Sequence, residues 1–86
     1  MILEERKMYA IAELLEIPDW NDPKLERIEV FDSLEEALSR SDELLDLYHE
    51  EYGEDYYERA NSKNMFAYAG NSDVTWRLYI SEIKTK

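Results

Sequence analysis

The only histidine in the chain, His49, is followed by Glu50. This pair opens the H-E-x-x-H motif, in which two imidazoles one helical turn apart hold zinc and the carboxylate serves as base. The motif requires a second histidine at position 53, where Gly53 stands. Asp46 and His49 would give a metal two ligands one turn apart, as in carboxylate di-metal bundles, but no second pair exists to complete the shell. Asp19 and Asn21 in the segment PDWNDPK resemble a calcium loop only superficially, because a third oxygen ligand, the turn glycine and a distal glutamate in register are missing. No metal and no cofactor are expected.

Covalent catalysis has no better footing. Ser33, Ser39, Ser41, Ser62, Ser72 and Ser81 lack a G-x-S-x-G setting, and a triad would need His49 to meet one of them. Gly53 and Gly70 are the only glycines, too few for a phosphate-cradling loop. Among the 21 acids none is marked as a general acid by an apolar run that would raise its pKa. The chain is therefore read as non-enzymatic, and what remains to do work is its surface.

That surface is acidic. Net charge is −11, and it is uneven: −5 over residues 1–32, −8 over 33–62 and +2 over 63–86. Phosphate contacts supply most non-specific nucleic-acid affinity, so direct binding to nucleic acid or an anionic membrane is disfavoured and a basic protein partner is favoured. The negative pole coincides with SLEEALSRSDELLDLYHEEYGEDYYERA, residues 33–60, which reads as one long amphipathic helix. Leu34, Ala37, Leu38, Ser41, Leu45, Tyr48, Tyr52 and Tyr56 fall on its core stripe. Glu43, Asp46, Glu50 and Glu54 fall opposite, with Leu47 and Tyr57 embedded among them as apolar contacts. Carboxylates at i and i+4 stand about 6 Å apart along a helix axis, a spacing comparable to that of successive phosphates on a strand. These six residues are the candidate partner-binding face, by DNA mimicry or by masking a basic groove. A solvated acidic face is the plainer reading of the same residues.

The helix start is well marked, since Ser33 and Glu36 make an S-x-x-E capping box. Its end is ambiguous, because Gly53 serves equally as a C-terminal cap or as a weak interior point. Before the helix, residues 7–17 are helical by propensity yet alternate as a strand does, with Tyr9, Ile11, Glu13 and Leu15 on one side and Met8, Ala10, Ala12 and Leu14 on the other. The strand is preferred, because residues 25–31 form a second strand that needs a neighbour. Pro18 and Pro23 bracket the loop between them, which carries Trp20. After the helix, MFAYA and VTWRLYISEI are strands joined by the turn GNSD, with Val74, Trp76, Leu78 and Ile80 sharing one face. The join IEVFDSLEEAL resembles strand-into-capped-helix stretches of many small bacterial and phage proteins. The resemblance covers 11 residues and implies only that local structure.

Residues 1–86 are thus expected to form a single α+β domain, an antiparallel β-β-α-β-β sheet of four strands with one long amphipathic helix on one face. The alternative is α-β-α-β-β, with the N-terminal segment helical. One helix covers one side of a sheet, so the other side would carry aromatics, among them Phe31, Phe66, Tyr68 and Tyr79 beside Arg77. With Trp20 these form a secondary interface, and the uncovered face points to a homodimer or a partner protein. The leading functional expectation is an acidic interaction protein, of the phage or mobile-element inhibitor kind, that offers its helix to a basic, nucleic-acid-binding protein. The other is a small-molecule or nucleotide-binding module that stacks Trp20, Trp76 and tyrosines on a flat ligand at a dimer interface. Absence of cysteine, of an apolar leader in MILEERK and of a membrane-length apolar run leads to an expected cytoplasmic location.

Overall fold

The computed structural model of the chain describes residues 6–18 and 22–85. Arg6–Glu16 is a strand, β1, in spite of its helix-forming composition. Tertiary pairing overrides propensity here, because β1 is bonded on both flanks: to β2 (Lys24–Phe31) on one side and to β5 (Thr75–Thr85) on the other. The alternative with a helical N-terminal segment therefore falls. The long C-terminal strand β5 runs in unbroken register with β1 from Arg6↔Thr85 to Glu16↔Thr75.

The helix α1 spans Leu34–Tyr52. The Ser33 hydroxyl accepts from the Glu36 N–H at 3.1 Å, so this half of the expected capping box forms. The helix ends earlier than the sequence led us to expect, at Tyr52 and not near residue 60. Gly53 takes φ 74°, a backbone conformation that only glycine enters freely, and its N–H closes on the His49 carbonyl at 3.0 Å. Tyr56–Glu58 then forms a short edge strand, β3, on β4 (Phe66–Gly70). The sheet accordingly has five antiparallel strands in the order β2-β1-β5-β4-β3, one more than expected, with the single helix across one face. Gly70 is needed for this edge, since a Cβ there would overlap the Tyr56 phenol lying on it.

Side-chain alternation divides the sheet. Ile11 and Leu15 from β1, Trp76, Leu78 and Ile80 from β5, and Ala67 and Ala69 from β4 are buried beneath Ala37, Ser41, Leu44, Leu45 and Tyr48 of α1. The two alanines of β4 leave room for the helix to sit close, and the Tyr48 hydroxyl donates to the Val74 carbonyl at 3.2 Å. Tyr56, placed on the helix stripe by its sequence spacing, instead lies exposed on the opposite side of the sheet. Phe31 is corrected in the other direction. It pairs with Tyr9 and packs, half-buried, against the core on the helix side, because β2 sends Arg27, Glu29 and Phe31 toward α1 and leaves Ile28 and Val30 outside.

Among the described residues no helix is long and apolar enough to cross a membrane.

Candidate functional site

The C-terminal half of α1 stands over the β2–β1–β5 end of the sheet and leaves a cleft of about 450 Å³ between them. Leu15, Leu44, Tyr48 and Trp76 form its inner wall, and Glu26, Leu47, Glu50, Glu51 and Tyr52 form its rim. At its base lies Glu13, a carboxylate only 7% exposed. One oxygen accepts from the Trp76 indole N–H at 2.7 Å and the other from Arg27 Nε at 2.9 Å. A buried charge requires such partners, and here the indole and guanidinium supply them.

The pair belongs to a longer chain of charges. Arg27 also approaches Glu29 at 3.6 Å, Arg40 grips Glu29 at 2.8 Å, and Arg40 reaches Glu43 at 2.7 Å. The hydrogen bond from Arg40 holds the Glu29 carboxyl below its usual range, and the same bond holds Arg40 more firmly protonated. The network ties β1 to β2 and β2 to α1, closing one side of the cleft. Burial, reinforced by nearby Glu54, pushes the Tyr48 phenol up to about 12, and burial with neighbouring Glu51 raises that of Tyr52. Both remain neutral rings on the cleft wall at ordinary pH.

The six residues assigned to the acidic face divide three ways. Leu47 and Glu50 are exposed on the cleft rim. Glu43 and Asp46 are also exposed, but Glu43 is paired with Arg40, and Asp46 with Arg59 at 3.1 Å. Arg59 further reaches Asp42 at 3.4 Å and lies 5.8 Å over the Tyr57 ring, which stands half-exposed on β3 and not on the helix. Glu54 lies beyond the helix end with its side chain turned in, 10% exposed and bonded to His49 Nδ1. It offers no carboxylate to a partner. Among the described residues Glu26, Glu50 and Glu51 take part in no ion pair, and neither do Asp32, Glu35, Glu36, Asp55, Glu58 and Asp73, so part of the uncompensated negative charge stands on the cleft rim.

Of the residues assigned to the secondary interface, Phe66, Tyr68 and Tyr79 do come together on the uncovered face. The Phe66 and Tyr79 rings stack at 4.9 Å and those of Phe66 and Tyr68 lie 5.6 Å apart. Phe31 is on the other side, and Trp20 lies outside the described residues, as does the Asp19–Asn21 segment.

Glu13, Arg27 and Glu26 carry the cleft and were not singled out by sequence. A signal for Glu13 existed: in the alternating run it occupies the same side as Ile11 and Leu15, so a strand that buries those two buries the acid between them. The cleft has an apolar, aromatic wall, and Arg27, the one cation among the described residues that line it, is already engaged by Glu13. Carboxylates beside exposed apolar side chains are chemically complementary to a positively charged group on an apolar stem. No family model, curated protein or solved structure matches the chain.

Proposed function

We propose that this chain is a non-enzymatic interaction protein that docks its acidic helix side on a basic, nucleic-acid-binding partner protein, as a small phage or mobile-element inhibitor would. The observation that supports the reading is the cleft rim: Glu26, Glu50 and Glu51, in no ion pair among the described residues, beside exposed Leu47 and Tyr52. An arginine or lysine of the partner would lay its stem on Leu47 and Tyr52 and set its charge among the rim carboxylates, where ring and carboxylate act together. Glu43, Asp46 and Tyr57 extend the contact along the same side, exchanging internal pairs with Arg40 and Arg59 for pairs with the partner. A nucleotide fits the same place poorly, since its phosphates would meet three carboxylates.

The test is capture from cell lysate with Glu43→Lys, Asp46→Lys, Glu50→Lys and Glu51→Lys combined. Wild type is expected to retain partners at low salt and lose them steeply toward high salt, because the attraction is screened over about 10 Å at 0.1 M. The reversed protein, folded by circular dichroism, is expected to capture none of them. Retention of the same partners by the reversed protein sinks the reading. A direct probe is N-acetyl-arginine amide against its neutral citrulline counterpart: only the cation should shift the Trp76 indole N–H resonance.

A further inference from the structure

Among the described residues no element covers the face of the sheet turned away from α1, and its register fixes what it shows. One row across it is Ile28–Ala12–Tyr79–Phe66, and its neighbour is Leu25–Leu14–Arg77–Tyr68–Glu58. Val30–Ala10–Ser81 and Met8–Ile83 continue it along the strands. Ile28 is 62% exposed, Leu25 51%, Val30 49% and Tyr79 43%, and because these stand in adjacent rows they form one surface. Contiguous apolar surfaces of this kind on a monomer mark interaction sites.

We infer that this face is the interface through which two copies of the chain pair back to back. Charge selects the occupant. The molecule carries −11, which opposes the approach of a second copy, whereas the rows of this face from Glu16–Thr75 to Met8–Ile83 carry only Glu16, Glu58 and Arg77 as charges. Pairing here also keeps the two helices, each with seven carboxylates and one arginine, on the outer sides of the assembly. With about 10 Å between packed layers, the helices stand roughly 30 Å apart, well beyond the screening length of about 8 Å at physiological salt.

Relief selects it too. Ala10, Ala12 and Ser81 make a low central strip between a ridge of Ile28 and Val30 and a ridge of Phe66 and Tyr79. A two-fold axis over the strip lets a ridge of each copy enter the strip of the other, and gives Arg77 of each copy access to Glu58 or Glu16 of its twin. From strand spacing and rise the face measures about 20 Å by 20 Å, so pairing removes on the order of 1,000 Å² from water over both copies, enough for a reversible dimer.

Sedimentation between 1 and 100 µM tests this. The expected species is a closed dimer, twice 10.3 kDa, that persists or tightens in 1 M salt because its contact is apolar. Ile28→Lys and, separately, Val30→Lys, both at exposed positions of an edge strand, should weaken it at least tenfold while circular dichroism is unchanged. Glu50→Lys on the opposite side should leave it intact. A wild-type monomer at 100 µM overturns the inference, as does a dimer indifferent to both edge-strand lysines or a mass that climbs past two copies. Loss of partner capture by the Glu43, Asp46, Glu50 and Glu51 reversal bears on the acidic side alone, so the two proposals fail separately.

Discussion

The two faces of this sheet are made by the same five strands, yet they are built to opposite specifications. On the helix side Ile11, Leu78 and Trp76 are almost wholly buried and the intruding charges are paired, Glu13 with Trp76 and Arg27, and Glu29 with Arg40, while the buried Ser41 hydroxyl has no hydrogen-bond partner among the described residues. On the other side Ile28, Val30, Tyr79 and Ile83 stand in solvent with small residues between them. The difference teaches that apolar content alone does not identify a core. What separates core from interface here is the presence of a covering element whose own stripe, Ala37 to Tyr48, is spaced to meet it.

Truncations should show the contrast at its sharpest. Trp76→Ala removes a buried indole from beneath Tyr48 and takes the donor from one oxygen of Glu13, leaving it only Arg27, and is expected to cost about 3–5 kcal/mol by chemical denaturation. Ile28→Ala, on the uncovered face, is expected to shift the denaturation midpoint by less than about 0.5 kcal/mol at concentrations where the chain is monomeric. Equal costs at the two positions would erase the distinction.

A smaller effect probes the polar part of the covered face. Glu13→Ala leaves an indole N–H and a guanidinium without their acceptor and should destabilise by about 1–3 kcal/mol. Glu58→Ala, whose carboxylate accepts the exposed Tyr68 hydroxyl at 2.9 Å, should cost little. Ser33→Ala removes the acceptor for the Glu36 N–H, and about 1 kcal/mol is expected, read as a lower denaturant midpoint.

The smallest effect is a pH dependence. Glu29 has its carboxyl held below the usual range by Arg40, so the unfolded chain binds its proton first as pH falls. Its contribution to stability is therefore complete above its ordinary value near 4.5 and is lost as pH drops through the lowered folded value. Glu29→Gln should lose stability less steeply between pH 5 and 3 than wild type, measured as the difference in thermal midpoint. Parallel curves would mean that the Arg40 contact does not survive in solution.

The amino-acid order by itself determined four of the five strands and the helix start. A two-residue alternation survives in Met8–Leu15 and Val74–Ile80 whatever the propensity of each residue, and Ser33 three positions before Glu36 marks a helix N-terminus through its own side chain. It also determined that one helix would leave Phe66, Tyr68 and Tyr79 uncovered, which follows from period and count. The end of the helix was decided in three dimensions. The periodicity of Tyr48, Tyr52 and Tyr56 runs on past Gly53, but the edge of β4 offers hydrogen bonds to Tyr56–Glu58 that a continued helix would forgo, and Gly70 makes room for the Tyr56 ring. Phe31 left its expected side for a related reason: which side of β2 meets the helix depends on its pairing with β1, including the register shift between Glu13 and Leu14. Glu13 came to rest under α1 because the alternation that buries Ile11 and Leu15 carries it along, and only the approach of Arg27 and Trp76, 14 and 63 residues away, makes that burial tolerable. Local pattern is set by neighbours along the chain; the neutralisation of a charge and the opening of a cleft are set by residues that meet only when the sheet has closed.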